Sequence, residues 1–312
     1  MAAYILRRLW QMIPTIFGVV LLVFFLFKYF GGDPAEILGG LNATPEQIAA
    51  IRQQLGLDQP VWVQLGLYLK SVATFDWGKS WATNEAVSHL FSSRLPATLT
   101  VMLPILVLEV IVALPVAMWV SYRRGSLADR TLMVVTTVAL SISFLVYIIV
   151  GQYVFGFQLG WFPVQGWSDS TWTNLTTYVP LPVMLAVFVA LAPYTRLYRT
   201  FFLDELGQDY VRTARAKGMT EGRVMFGHVL RNAMIPILTN VGLALPGVFV
   251  GSFLIEVFFS IPGLGREILL AVNRSDYPVI QAIAVYLAAL TMIINLVVDV
   301  LFKLVDPRVV LK

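Results

Sequence analysis

Residues 96–122 read PATLTVMLPILVLEVIVALPVAMWVSY, and this stretch decides the class of fold. Glu109 is its only Asp, Glu, Lys, Arg or His residue. About 20 apolar residues in a helix span the roughly 30 Å of hydrocarbon in a bilayer. The stretch is therefore predicted to cross a membrane as a helix.

Further apolar runs of similar length lie on both sides of it. They occupy residues 9–30, 131–156, 179–199, 236–259 and 279–303. With 58% hydrophobic and 13% charged residues, the 312-residue chain carries more apolar surface than a soluble fold can bury. Arg7 and Arg8 before the first run resemble a signal peptide, but the run is too long and no clear cleavage site follows, so we expect a retained helix. The sequence predicts an all-α integral membrane protein of about six transmembrane helices.

The positive charges predict how these helices are oriented. An even number of crossings returns both termini to the same side of the membrane. With that side in the cytoplasm, most of the 22 Lys and Arg residues fall in cytoplasmic segments, as the positive-inside rule requires. We therefore expect both termini to be cytoplasmic.

The predicted organisation has four parts. They are an N-terminal tail with the first helix (1–30), a periplasmic loop with amphipathic helices (31–95), a five-helix core (96–304) with a cytoplasmic loop at 200–235, and a cytoplasmic tail (305–312). In the periplasmic loop, Thr44, Pro45 and Gln47 form a helix start with a capping box, and Gly56 ends that helix. A second amphipathic helix is predicted to begin near Pro60.

The polar segment between the fourth and fifth runs is predicted to form a helix, a turn and a second helix. Tyr210, Val211 and Ala214 recur at helical spacing, Gly218 can end the first helix, and Thr220 can cap the second. We expect this hairpin to project into the cytoplasm.

Few polar or small residues within the spans stand out as candidate pathway or helix-packing positions. A carboxylate at the bilayer centre is costly, so Glu109 is expected to face protein or a water-filled path, either as a substrate contact or in a bond between helices. Glu256 lies near the outer end of the fifth span. Gly247 and Gly251 form a GxxxG pattern, which allows close approach of two helices.

No catalytic, metal-binding or nucleotide-binding group is predicted in this chain. His89 and His228 fall on opposite sides of the membrane in the expected topology, and the chain has no cysteine. Gly78, Lys79 and Ser80 imitate the end of a phosphate-binding loop, but its first glycine would fall at Ala73.

Two consecutive motifs are distinctive: QDYVRTARAKG at 208–218, followed by HVLRNAMIP at 228–236. In these motifs the sequence resembles the permeases of ATP-binding cassette importers, in their dipeptide, oligopeptide and nickel branch. Arg212 stands where the general pattern has glutamate, a departure that fits the peptide branch. Shorter matching motifs run along the chain: RR at 7–8, GDP at 32–34, LGLDQP at 55–60, PGLG at 262–265, DYPV at 276–279 and DPR at 306–308. Together they resemble the first of the two permeases in such a system.

This resemblance implies a type I importer architecture and a set of partners. A second, similar permease would complete the pathway, two ATPase subunits would bind ATP and magnesium, and a periplasmic or lipid-anchored binding protein would deliver peptide. The chain itself would bind no cofactor, and it would lie in the bacterial inner membrane. The residues implied in coupling to an ATPase are Asp209, Tyr210, Arg212, Thr213, Ala214, Arg215, Ala216, Lys217 and Gly218.

Two competing functions predict other features. A secondary carrier or channel without ATPase partners would have inverted internal repeats, which the sequence does not show. An intramembrane enzyme would need a catalytic dyad or an HExxH pair, and the sequence has neither.

Overall fold

A computed structural model describes residues 2–40 and 43–305, with the side chains of 5–40 and 43–300. In this part of the chain nearly all regular structure is helical, and the strand-like pairing is an isolated bridge between Lys79 and Ala86. Residues 306–312 of the predicted tail (305–312), including its DPR motif, lie outside the described residues.

The α-helices follow one another along the whole described chain. They are α1 Ala2–Phe30, α2 Pro34–Gly39, α3 Pro45–Gln54, α4 Val61–Thr74, α5 Val87–Tyr122, α6 Leu127–Ser141, α7 Phe144–Gly151, α8 Thr171–Thr173, α9 Pro180–Leu206, α10 Asp209–Ala216, α11 Glu221–Val224, α12 Leu230–Val250, α13 Phe253–Phe258, α14 Leu264–Asn273 and α15 Tyr277–Val305. Turns of wider π-type helix continue α7 at Gln152–Gln158, α8 at Asn174–Tyr178 and α11 at Met225–Val229.

Five helical segments of the described chain are long and apolar enough to cross a membrane. They are Ile5–Phe30, Val87–Tyr122, Pro180–Leu206, Glu221–Phe258 and Tyr277–Val300. A sixth span is obtained if the pair Leu127–Ser141 and Phe144–Gln158 counts as one. The prediction of about six spans agrees with this.

The third span is not straight. Its two halves meet at 89° around Ile142 and Ser143. Ile142 has extended dihedral angles, which interrupt the helical hydrogen bonds, and Ser143 begins the next helix, also in an extended conformation. The hydroxyl of Tyr147 donates to the carbonyl of Ala139 at 3.0 Å and so bridges the bend. Hydropathy alone predicts one continuous span here, because it does not register backbone breaks.

The local signals in the predicted periplasmic loop are confirmed. Thr44 accepts a hydrogen bond from the amide of Gln47, and the Gln47 side chain accepts one from the Thr44 amide. Gly56 follows α3 with φ of +64°, and Pro60 precedes the first residue of α4. The helices α2, α8 and α14 are short elements that the sequence reading did not predict.

The described chain divides into two compact units. Of the described residues, the first comprises 2–40, 43–96 and 263–305, and the second comprises 97–262. In the first unit α15 packs along α1, with an ion pair of 3.2 Å between Arg8 and Asp299 and an aromatic contact between Phe27 and Tyr277. The last span thus lies in the same unit as the first one.

The second unit has two buried clusters. One centres on α7 and on the N-terminal parts of α5 and α9, and it includes Val101, Ile148 and Leu181. The other joins α5, α9, α10 and α12 and is described below with the site it supports.

Candidate functional site

The segment between the fourth and fifth spans folds as a helical hairpin, residues 207–224, which we call the basic hairpin. It contains α10, a turn and α11, and lies wholly in the second unit. The flanking helices are longer than hydropathy predicts, because α9 continues to Leu206 and the helix of the fifth span begins at Glu221. The loop predicted at 200–235 is therefore mostly helical, and the connection itself is short.

One side of α10 is apolar and buried. Val211 is fully buried and Ala214 is 5% exposed. Both belong to the cluster that contains Tyr198 and Phe202 of α9 and Val224 of α11. Residues three apart lie on the same helix face, so this short helix is held to the ends of the spans by a single apolar side.

Tyr210 attaches the start of α10 to both flanking helices. Its hydroxyl donates to Glu205 of α9 and lies near the Asn232 side chain of α12. Burial, together with the hydrogen bond to the Glu205 carboxylate, raises the pKa of Tyr210 to about 12. The phenol is therefore protonated at physiological pH and remains the hydrogen-bond donor to Glu205.

Gly218 forms the turn of the hairpin. Its φ is +75°, a left-handed conformation that favours glycine. The Gly218 amide donates to the Arg215 carbonyl at 2.9 Å, and the Met219 amide donates to that of Ala214 at 3.3 Å. Thr220 takes the expected N-cap position, but its side chain makes no capping hydrogen bond.

The other side of the hairpin is exposed and carries charge. Its exposed residues are Asp209, Arg212, Thr213, Arg215, Ala216, Lys217 and Gly218. Arg215 forms two hydrogen bonds with the Glu221 carboxylate, of 2.9 and 3.1 Å, and these fix α10 to α11. Arg212 is 3.4 Å from Asp209, and Lys217 has no ion pair among the described residues. The nine residues implied in coupling therefore lie together, but Val211, Ala214 and Tyr210 attach the hairpin to the protein, whereas Arg212 and Lys217 face outward.

A buried ion pair that the sequence reading missed fixes the third span to the fourth. Arg199 of α9 binds both carboxylate oxygens of Asp129 of α6, at 2.7 and 2.8 Å, and both side chains are mostly buried. Asp129 also accepts from the Gly125 amide, and the Ser121 hydroxyl of α5 donates to the Arg199 carbonyl. The signal in the sequence was an acidic residue in the first turn of a helix, after the N-cap Ser126. This arrangement connects three helices just ahead of the basic hairpin.

Glu109 is a buried carboxylate on α5. It is 5% exposed and lies close enough to the phenols of Tyr194 and Tyr198 to interact with them electrostatically. The Tyr198 hydroxyl is buried and has no hydrogen-bond partner in the described chain. Ala113, one turn along α5, belongs to the same apolar cluster as Val211. Glu109 therefore faces protein rather than lipid, next to the cluster that supports the hairpin.

The other candidate residues of the fifth span form a break in it. Gly251 ends α12 with φ of +79°, and Ser252 caps α13. Glu256 is 1% exposed and accepts a hydrogen bond of 2.9 Å from the Thr98 hydroxyl. A Cβ on Gly251 would lie 2.8 Å from the Thr98 methyl group and still closer to the Glu256 carboxylate. At Gly247 no described atom outside its own stretch of helix lies within 4 Å of an added Cβ, so Gly251, and not Gly247, makes a close approach to other described parts of this chain.

No group of three or more His, Asp or Glu side chains in the described residues is arranged to hold a metal ion.

Comparison with known proteins places this architecture in a family. Residues 110–311 match the model of the binding-protein-dependent transport system inner membrane component, and residues 1–102 match the model of the N-terminal part of such membrane components. The chain is 33% identical to the dipeptide transport system permease protein DppB of Alkalihalophilus pseudofirmus and 35% identical to the di/tripeptide transport system permease protein DppB of Pseudomonas aeruginosa. It is 37% identical to the glutathione transport system permease protein GsiC of Salmonella choleraesuis. Each comparison covers 99% of both chains. The long apolar helices, the basic hairpin and these matches lead to one conclusion: the chain is a multi-pass membrane permease subunit, not an enzyme, and belongs to the family of binding-protein-dependent transport system inner membrane components.

Proposed function

We propose that this permease takes up small peptides across a bacterial inner membrane, in a complex driven by ATP, with both of its termini in the cytoplasm. Relatives that match over their full length are named for dipeptide, di/tripeptide and glutathione transport, and all of these substrates are short peptides. A second homologous permease supplies the other half of the pathway. Two ATPase subunits bind ATP and magnesium, and an external binding protein delivers the peptide.

The proposed role of the basic hairpin is to bind one ATPase subunit. The observation that carries it is the two-sided structure of α10, which buries Val211 and Ala214 in the protein and leaves Arg212 and Lys217 exposed. A partner that moves the exposed side therefore moves the buried side with it. Packed interiors transmit such displacements as rigid-body movements rather than absorbing them. The movement reaches α9 and α12 directly.

We further propose that Glu109 takes part in the substrate pathway. A carboxylate next to two phenols, in a span that is otherwise apolar, suits the cationic amino terminus of a peptide. Replacing Glu109 by Gln keeps the shape and removes the charge. We expect the KM for peptide uptake to rise about tenfold, with little change in basal ATP hydrolysis by the reconstituted complex. Unchanged KM with a lower unfolding temperature would assign Glu109 to helix packing instead.

The coupling role can be tested by crosslinking, because the natural chain has no cysteine. Lys217→Cys places a single thiol on the exposed side of the hairpin, and Ala82→Cys places one on an exposed loop in the first unit. In the assembled transporter we expect a thiol-to-amine crosslinker to join Cys at 217 to an ATPase subunit and to give no such product at 82. An impermeant maleimide should label 217 only in inverted vesicles and 82 only in right-side-out vesicles.

Two results would refute this proposal. Labelling of position 217 from the outside would reverse the topology. Peptide uptake by the chain reconstituted without ATPase subunits would favour a secondary carrier.

A further inference from the structure

A cavity of about 500 Å³ lies in the first unit, away from the basic hairpin. Its walls come from the end of α1, the loop to α2, the helices α3 and α4 and the start of α15. This volume is within the range of small-molecule sites in proteins. The cavity has no part in the roles proposed above for the basic hairpin and for Glu109.

Three charged side chains lie together in its wall. Arg52 forms an ion pair with Asp33, and Lys28 is close enough to Asp33 to interact with its charge. Burial acts to raise the pKa of Asp33, but hydrogen bonds from Arg52 and from the Ala35 amide hold it below its usual value. Asp33 is therefore ionised, so the cavity wall holds two cations and one carboxylate. The exposed Glu36, which does not line the cavity, also interacts with the charge of Arg52.

The polar groups around Lys28 are held in fixed positions. The Lys28 ammonium donates to the Gln64 side chain at 2.8 Å, and the Gln64 amide donates to the carbonyls of Leu57 and Gln59. An ammonium group has three protons to donate, so this arrangement orients Lys28 without using all of its donors.

Tyr68 is a second, independent indication that the cavity holds a ligand. It lines the cavity, and its buried hydroxyl has no hydrogen-bond partner in the described chain. A buried donor without a partner is costly, and most such groups in proteins are paired with protein, water or ligand. Two cations beside an unpaired donor favour an anionic oxygen ligand.

The rim of the cavity is apolar and continuous with exposed apolar surface. Tyr29 and Leu67 line it and are themselves exposed, and Phe30 and Trp62 on the same two helices are 87% and 76% exposed. Aromatic and aliphatic side chains of this kind are typical of the level at which lipid headgroups meet the acyl chains. A freely soluble anion would not need this surface.

We propose that this cavity binds the headgroup of an anionic phospholipid. The anionic phosphodiester is complementary to the two cations in the wall, with Lys28, Arg52 and Tyr68 as donors, and the acyl chains follow the exposed face of α1 and α4. Asp33 is already bound by Arg52 and by a backbone amide, so it is not free to select an ammonium-bearing headgroup. The site therefore prefers an anionic lipid to a zwitterionic one, and it does not select a zwitterionic peptide.

The test is native mass spectrometry of the full-length chain in mild detergent, titrated with short-chain phosphatidylglycerol or phosphatidylethanolamine. Lys28→Met should weaken phosphatidylglycerol binding about tenfold and Tyr68→Phe about fivefold, because each removes a donor to an ionised oxygen. Lys70→Met is the matched control, since Lys70 is exposed on α4 outside the cavity, and it should change binding less than twofold. The unfolding temperature of each variant without added lipid shows whether it is folded, and Tyr68→Phe alters only one oxygen atom.

Four results would overturn the proposal. They are equal phosphatidylglycerol binding by Lys28→Met and Lys70→Met, no effect of Tyr68→Phe, equal affinity for phosphatidylethanolamine, and displacement of the lipid by millimolar inorganic phosphate or by a dipeptide. Displacement by phosphate would indicate a simple anion site, and displacement by dipeptide would indicate a peptide site. Neither result bears on the role of the basic hairpin.

Discussion

Replacing Gly218 tests the basic hairpin most directly. Its φ of +75° is costly for residues with a Cβ, by about 1–2 kcal/mol, and valine lies at or above the upper end of this range. Apart from Gly218 itself and its two neighbours in the chain, no described atom lies within 4 Å of a Cβ placed there. The cost of Gly218→Val is therefore backbone strain, without a steric clash against the rest of the chain.

That strain is comparable with what holds the turn together. The two backbone hydrogen bonds at Gly218 and Met219 contribute about 0.5–1.5 kcal/mol each, and the half-exposed pair of Arg215 and Glu221 contributes at most about 1 kcal/mol. A cost of about 2 kcal/mol then removes most of the local stability of the turn. A difference of 1.4 kcal/mol is a factor of ten in population. We expect Gly218→Val to lower the rate of peptide uptake about five- to thirtyfold.

The matched variant is Gly218→Asn, because asparagine tolerates the left-handed region far better than valine. It should retain more than half of the uptake rate. The assay is ATP-dependent uptake of labelled dipeptide by the complete transporter in proteoliposomes, normalised to the amount of correctly inserted chain. Uptake by Gly218→Val at the wild-type rate would refute the reasoning. Equal loss in both variants would show that partner contact, and not backbone conformation, requires glycine.

Three further outcomes follow from the buried contacts of the second unit. Asp129→Asn should cost about 3–5 kcal/mol of stability because it leaves Arg199 buried without its counter-ion. The double variant Asp129→Leu with Arg199→Met should recover most of this lost stability, measured by thermal unfolding of the detergent-solubilised chain. The pKa of Tyr210 is raised from about 10 to about 12, so its stabilising contribution is complete below pH 10 and is lost as the pH rises to 12. The unfolding temperature should therefore fall more between pH 10 and pH 12 for the wild type than for Tyr210→Phe. Gly251→Ala should lower the free energy of unfolding by about 2–5 kcal/mol through strain and overpacking, and by less in a Glu256→Ala background, where the carboxylate no longer obstructs the Cβ. Additive losses of stability in the double variant would contradict this prediction.

The sequence alone determined those features that depend on nearest neighbours and on solvent. The length of an apolar run fixes whether a helix can cross the hydrocarbon, and five of the six runs predicted from hydropathy coincide with long apolar helices of the structure, whereas the third is bent. The start of α3 at Thr44 and its end at Gly56 were likewise predictable, because a capping box and a left-handed glycine act within one helical turn. The position of Gly218 in the hairpin was predictable for the same reason.

The tertiary structure decided the features that depend on residues far apart in the chain. Hydropathy treats Glu109 and Glu256 alike, and only the fold shows one near two phenols and the other bonded to Thr98 beside a glycine break. The pairing of Asp129 with Arg199, 70 positions apart, has no local signal that names its partner. The sequence therefore determined that this chain is a membrane permease with a basic hairpin. The structure decided which hairpin residues attach it and which face a partner, because burial depends on contacts between distant segments.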